Sequence, residues 1–150
     1  MRQIALVIAL LAGLGPTPVR GQQIPPPSVD RVRLLQANQA GVAMVWEISR
    51  ERANTLPHWD LDASPSPLSV EDATRIARTW LSQRNPHVEQ FLIQQVGFSR
   101  VGTGLPGGGG WFWYYTFFFI ARGQPGAPLL FYAVVLPDGS PLEPTPSTAK

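Results

Sequence analysis

The stretch Leu68-Ser69-Val70-Glu71-Asp72-Ala73, running into Ile76, Ala77, Trp80 and Leu81, constrains the fold of this chain more than any other feature. Ser69 is placed to accept a hydrogen bond from the amide three residues on, and Glu71 and Asp72 sit where the helix dipole favours anions. Asn85-Pro86 stops the helix. Ala73, Ile76, Ala77, Trp80 and Leu81 recur at helical spacing, while Arg75, Arg78 and Gln83 point elsewhere. One face is therefore made to be buried, and Trp80, its largest apolar group, is expected to anchor the helix to a sheet.

The strand signals lie on either side of that helix. Val32 to Gln36 and Val42 to Ser49 read as a hairpin around Asn38-Gln39-Ala40-Gly41, with Val42, Met44, Trp46 and Ile48 alternating against Ala43, Val45 and Glu47. Arg50 to Pro67 carries Pro57, Pro65 and Pro67 and reads as a connection, with at most a short extended piece at Leu56 to Leu61. After the helix, Gln90 to Ser99, Trp111 to Ala121 and Leu129 to Leu136 read as strands. Their short Gly- and Pro-rich joints favour an antiparallel meander over parallel crossovers. Pro137-Asp138-Gly139 is a turn. The expected fold class is α+β, one amphipathic helix packed on an antiparallel sheet of four to five strands.

The N-terminus reads as an export signal over residues 1–21. Arg2 is its positive start, Ile4 to Leu14 its apolar stretch, and Pro16, Pro18, Val19 and Gly21 its small-residue exit. That apolar run falls short of the roughly 20 residues a bilayer span needs, so no transmembrane anchor is expected after cleavage. A Pro-rich linker follows over 22–30, with Pro25-Pro26-Pro27, then a single domain over 31–142 and a flexible tail over 143–150.

Without residues 1–21, Lys plus Arg falls from 12 to 10 against 10 Asp plus Glu, and the formal charge falls from +2 to zero. The remaining basic residues form no cluster that would neutralise a row of phosphates, which argues against nucleic acid as a partner. Cysteine is absent, which excludes disulfides, thiolate nucleophiles and thiolate metal sites. A periplasmic or secreted protein with a self-sufficient core is expected.

The wording Leu68-Ser69-Val70-Glu71-Asp72-Ala73-Thr74-Arg75-Ile76-Ala77, followed by strands ending in Val134-Val135-Leu136-Pro137-Asp138-Gly139-Ser140-Pro141-Leu142, resembles the PepSY-like family of exported bacterial domains, over about residues 68–142. The long strands, the Gly-rich stretch Val101 to Gly110 and the first hairpin depart from the family's short form. A cystatin-like sheet wrapped on one helix reads almost the same. The resemblance implies a non-catalytic exported module, in some settings one that restrains peptidases, and it carries over no site residue.

Trp111-Phe112-Trp113-Tyr114-Tyr115-Thr116-Phe117-Phe118-Phe119 holds eight of the chain's fifteen aromatic residues. As a strand it is apolar on both faces, so a second layer, a partner chain or a ligand is expected opposite the helix. Trp111, Trp113, Tyr115 and Phe117 are the candidate partner-binding residues. The partner is expected to be a protein or peptide of the envelope, a peptidase among the candidates, or a second copy of the chain. Edge-strand pairing with an extended peptide is a further route.

Gly107 to Gly110 is no phosphate loop, because it leads into a strand and has no Lys beside it. His58, Asp60 and Asp62 fall on one side of an extended segment and are weak candidates for zinc or calcium. No Ser lies in a G-x-S-x-G elbow, and no catalytic residue or cofactor is assigned. A small cavity enzyme of the isomerase or hydratase kind, using Asp60, Asp62 or His58, with Glu47 a further acid/base candidate, and a self-associating structural subunit through Trp111 to Phe119 are the rival readings.

Overall fold

The computed structural model describes residues 30–39, 41–59, 65–102, 110–122 and 129–147. The expected export signal and most of the Pro-rich linker lie outside them.

The helix forms as its caps dictate. Here α1 is Arg50–Thr55 and α2 is Val70–Arg84. Ser69 Oγ accepts from the Asp72 amide at 3.0 Å and donates to the Asp72 carboxylate at 2.9 Å. Asn85 closes the other end, its amide and its side chain both donating to Leu81 O at 2.9 Å. Ala73, Ala77, Trp80 and Leu81 form the buried stripe.

The strands are β1 Arg31–Gln39, β2 Val42–Ser49, β3 Gln90–Gly102, β4 Trp111–Arg122, β5 Leu130–Val135, β6 Pro141–Leu142 and β7 Thr145–Pro146. Every pairing is antiparallel, but the strands divide into two sheets, β1-β2-β7 and β3-β4-β5-β6. The α+β reading stands in outline. The expectation of one helix on a single sheet of four to five strands is corrected to three layers: helix α2, the four-stranded sheet, and the three-stranded sheet built on the N-terminal hairpin.

The reason lies in β4. Tyr115, Phe117, Phe119 and Ala121 join Ala73, Ala77, Trp80 and Leu81 of α2 in one core. Phe112 and Tyr114 join Val32, Leu34, Trp46 and Ile48 of the hairpin in another. Adjacent residues of a strand face opposite ways, so an aromatic run of this length forms two cores at once. Burying the second face stabilises more than adding the hairpin to a sheet edge, because a fully buried large apolar side chain contributes about 1.5–3 kcal/mol.

Two further expectations change. The connection after β2 opens with helix α1, capped by Ser49 Oγ, which accepts from the Arg52 amide at 3.2 Å. Ala53 and Leu56 drop into the hairpin core from it. Pro57 ends it, since a residue before proline is pushed to extended geometry and Leu56 has ψ 148°. The expected flexible tail is paired as far as residue 147. Thr145 and Pro146 lie against Val45 and Met44, and the Ser147 amide donates to Ala43 O at 2.7 Å. Prolines there lack donors but keep acceptor carbonyls, which an edge strand tolerates. Arg84 also holds this segment, its Nε 3.1 Å from the Glu143 carboxylate.

Candidate functional site

The two cores leave one end of β4 beyond the helix. Tyr115 Oη donates to Leu68 O at 2.9 Å, so the N-terminus of α2 stands over Tyr115 and the stretch 111–113 lies past it. That end is crossed by Pro57, His58 and Trp59. Trp113 Nε1 donates to Trp59 O at 3.1 Å, and His58 Nδ1 bonds Trp111 O. Gly110 is needed beneath the strap, because a Cβ there would lie on the His58 ring.

On this flank the β3–β4 register sets Phe98 opposite Tyr115 and Arg100 opposite Trp113. Phe98 and Trp113 stack with centroids 4.7 Å apart and planes at 11°, and Trp59 closes on both at 5.6 and 6.0 Å. Trp111 meets Trp113 edge-on at 6.2 Å. The Arg100 guanidinium lies over both indoles, 5.2 Å from Trp111 and 5.8 Å from Trp113. Phe98 is 37% exposed and Arg100 is exposed, so the outer side of this cluster is a surface of stacked rings carrying one cation. The space beneath the strap, lined by Pro57, Leu68, Trp113 and Tyr115 among others, is about 10 Å³, room for one water at most.

No protein-family model, no curated protein and no solved structure matches this chain.

Trp111 and Trp113 sit half-buried in the aromatic flank. Tyr115 and Phe117 do not present a contact surface: they are 7% and 1% exposed and belong to the helix core, because α2 and β5 cover that half of the strand. His58 is engaged by the Trp111 carbonyl and packs edge-on against its indole at 6.5 Å. Asp60 and Asp62 lie outside the described residues. Among the described residues no three His, Asp or Glu side chains gather as a metal site would require. Glu47 is held by Arg33, whose Nε donates to it at 2.9 Å across the hairpin. Among the described residues no helix is long and apolar enough to cross a membrane.

Phe98, Arg100 and Trp59 are the site residues that the sequence reading passed over. The signal was present, since an aromatic, a cation and an indole sit within strands or beside His58. Only the register of β3 against β4 brings them onto the rings of Trp111 and Trp113.

Proposed function

We propose that this chain is an exported, non-catalytic binding module of the bacterial envelope. Its contact surface is the flank formed by Phe98, Arg100, Trp111 and Trp113, and its partner is an extended peptide segment. The observation that carries this reading is the Phe98–Trp113 stack with Arg100 laid across two indoles on an exposed side of the sheet. Stacked rings offer area at little entropic cost and the guanidinium offers a charge, which together suit an aromatic residue beside an acidic one. β3 supports the reading, being thirteen residues long and an outer strand of its sheet, open to strand addition by the same peptide. Export through residues 1–21 and PepSY-like membership of residues 68–142 belong to the same proposal, and the latter makes a peptidase the favoured source of the segment.

Selection of random linear peptides on the full chain tests this. Enriched sequences are expected to pair an acidic with an aromatic residue and to lose at least about tenfold in affinity to the Arg100→Glu variant. Peptides that bind that variant and Phe98→Ser as tightly as the parent would overturn the assignment of this surface.

A further inference from the structure

A groove lies on the opposite face of the same sheet. Two adjacent rows of its ladder, Gln95–Phe118–Tyr132 and Gly97–Thr116–Val134, run past the border of the hairpin. Leu35 of β1 overhangs them, and a groove of about 260 Å³ opens between. Its floor is the Phe118–Tyr132 pair, stacked at 5.1 Å and 23°, with Trp46 edge-on behind Tyr132 at 6.2 Å.

Two features keep this space open. Gly97 contributes no side chain, and a Cβ there would run into the Thr116 hydroxyl. Both register irregularities of the long strand pairs also border the groove, one between Arg33 and Leu35 and the other between Ile93 and Gln95. Bulges re-aim side chains and concentrate beside sites, and here they fall on the two strands that form opposite walls. Gln95, Thr116 and Tyr132 each bring a polar group that makes no side-chain hydrogen bond to another described residue. No charged side chain lines the groove among the described residues.

We infer that this groove binds a small, neutral, planar aromatic molecule carrying a hydroxyl or carboxamide group. An apolar cavity of about 150 Å³ accepts benzene, so about 260 Å³ accommodates one substituted ring. The Phe118–Tyr132 pair supplies the stacking surface, and Gln95 and Thr116 supply donors and acceptors for the substituent. A carboxylate is disfavoured because nothing charged answers it. The inference is independent of the aromatic flank, which lies across the sheet.

The test is a proton–nitrogen NMR titration of the full chain with phenol and benzamide, using benzoate and cyclohexanol as controls. Phenol or benzamide is expected to bind with a dissociation constant of about 0.1–5 mM, as suits a single ring, and to shift the amides of Gly97, Thr116 and Tyr132. Benzoate and cyclohexanol are expected to bind at least about fivefold more weakly. Gln95→Leu, at an exposed position, is expected to weaken benzamide about fivefold. Gly97→Ala, wherever it folds, narrows the groove and is expected to abolish binding. No saturable shift at these residues, shifts confined to the Trp111–Trp113 flank, or benzamide affinity unchanged in Gln95→Leu would each overturn the inference.

Discussion

Tyr114 Oη donates to the carbonyl of Leu34 at 2.8 Å, at the residue that the bulge in β1 leaves without a cross-strand partner. The bond crosses from the middle sheet to the hairpin, so it ties the layers together at the point where the ladder is interrupted. Burial raises the Tyr114 phenol above its ordinary value near 10, with the Ser99 side chain pulling the other way. Tyr114→Phe is expected to cost about 1 kcal/mol at neutral pH, read by urea denaturation. The raised phenol contributes stability that is complete below its ordinary value and is lost as pH rises through the raised one. Tyr114→Phe is therefore expected to lose less stability than the parent between neutral pH and the strongly alkaline range.

The hairpin is held down by Trp46, which is fully buried and leaves its indole Nε1 without a hydrogen-bond partner among the described residues. Trp46→Ala is expected to cost about 3–5 kcal/mol in denaturant unfolding. Trp46→Phe keeps the edge contact with Tyr132 and removes an unsatisfied donor, so its cost is expected to be less than half of that. Equal losses for the two variants would show that the indole nitrogen contributes a hydrogen bond after all.

Helix α2 depends on its first turn. Ser69→Ala removes both the cap on the Asp72 amide and a bond to the Asp72 carboxylate, at an expected cost of about 1 kcal/mol by thermal unfolding. The Arg75 guanidinium, ahead of the Ser69 hydroxyl, holds the Asp72 carboxyl below its ordinary value of 3.8. A lowered carboxylate stabilises above that value and stops doing so as pH falls through the lowered one. Asp72→Asn is thus expected to matter at neutral pH and to become indistinguishable from the parent in strong acid.

Gly97 and Thr116 share one space. Gly97→Ala is expected to cost about 1–3 kcal/mol, because its Cβ meets the Thr116 hydroxyl. Combined with Thr116→Ala the loss is expected to be smaller than the sum of the two single changes, a coupling read from a double-mutant cycle. Additive losses would mean that the hydroxyl does not set the limit.

At the strap, His58 and Gly110 form a unit. Gly110→Ala would press a methyl into the imidazole, and the expected outcome is displacement of the Pro57–Trp59 strap with little change in global stability. Amide exchange at Trp113 and the emission of the half-buried indoles of Trp59, Trp111 and Trp113 report it. An unaltered Trp113 environment in Gly110→Ala would show that Pro57–Trp59 does not pack over Gly110 as a strap.

Much was legible without coordinates because it depends on neighbours in sequence. The caps at Ser69 and Asn85, the buried stripe Ala73, Ala77, Trp80 and Leu81, the turn at Gly139 with its φ of +81°, and the strand identities of β1 to β5 follow from periods of 3.6 and 2 and from local hydrogen bonds. The double-sided apolar character of Trp111 to Phe119 also demanded a layer on each face. Helix α1 was missed because six residues carry too little periodicity to register, and its two buried side chains, Ala53 and Leu56, matter only against a hairpin core that is distant in sequence.

What covers the second face of β4 was decided by tertiary structure alone. The composition allows a partner, a ligand or the chain's own hairpin, and only folding shows Val32, Leu34, Trp46 and Ile48 closing over Phe112 and Tyr114. On the other face helix α2 buries Tyr115 and Phe117 and leaves Trp111 and Trp113 at the margin, and the β3–β4 register puts Phe98 and Arg100 beside them. Those positions depend on register and on which apolar surfaces meet. The sequence by itself determined the elements and their amphipathicity, since both arise from local periodicity, whereas long-range burial determined which aromatic side chains remain available to a partner.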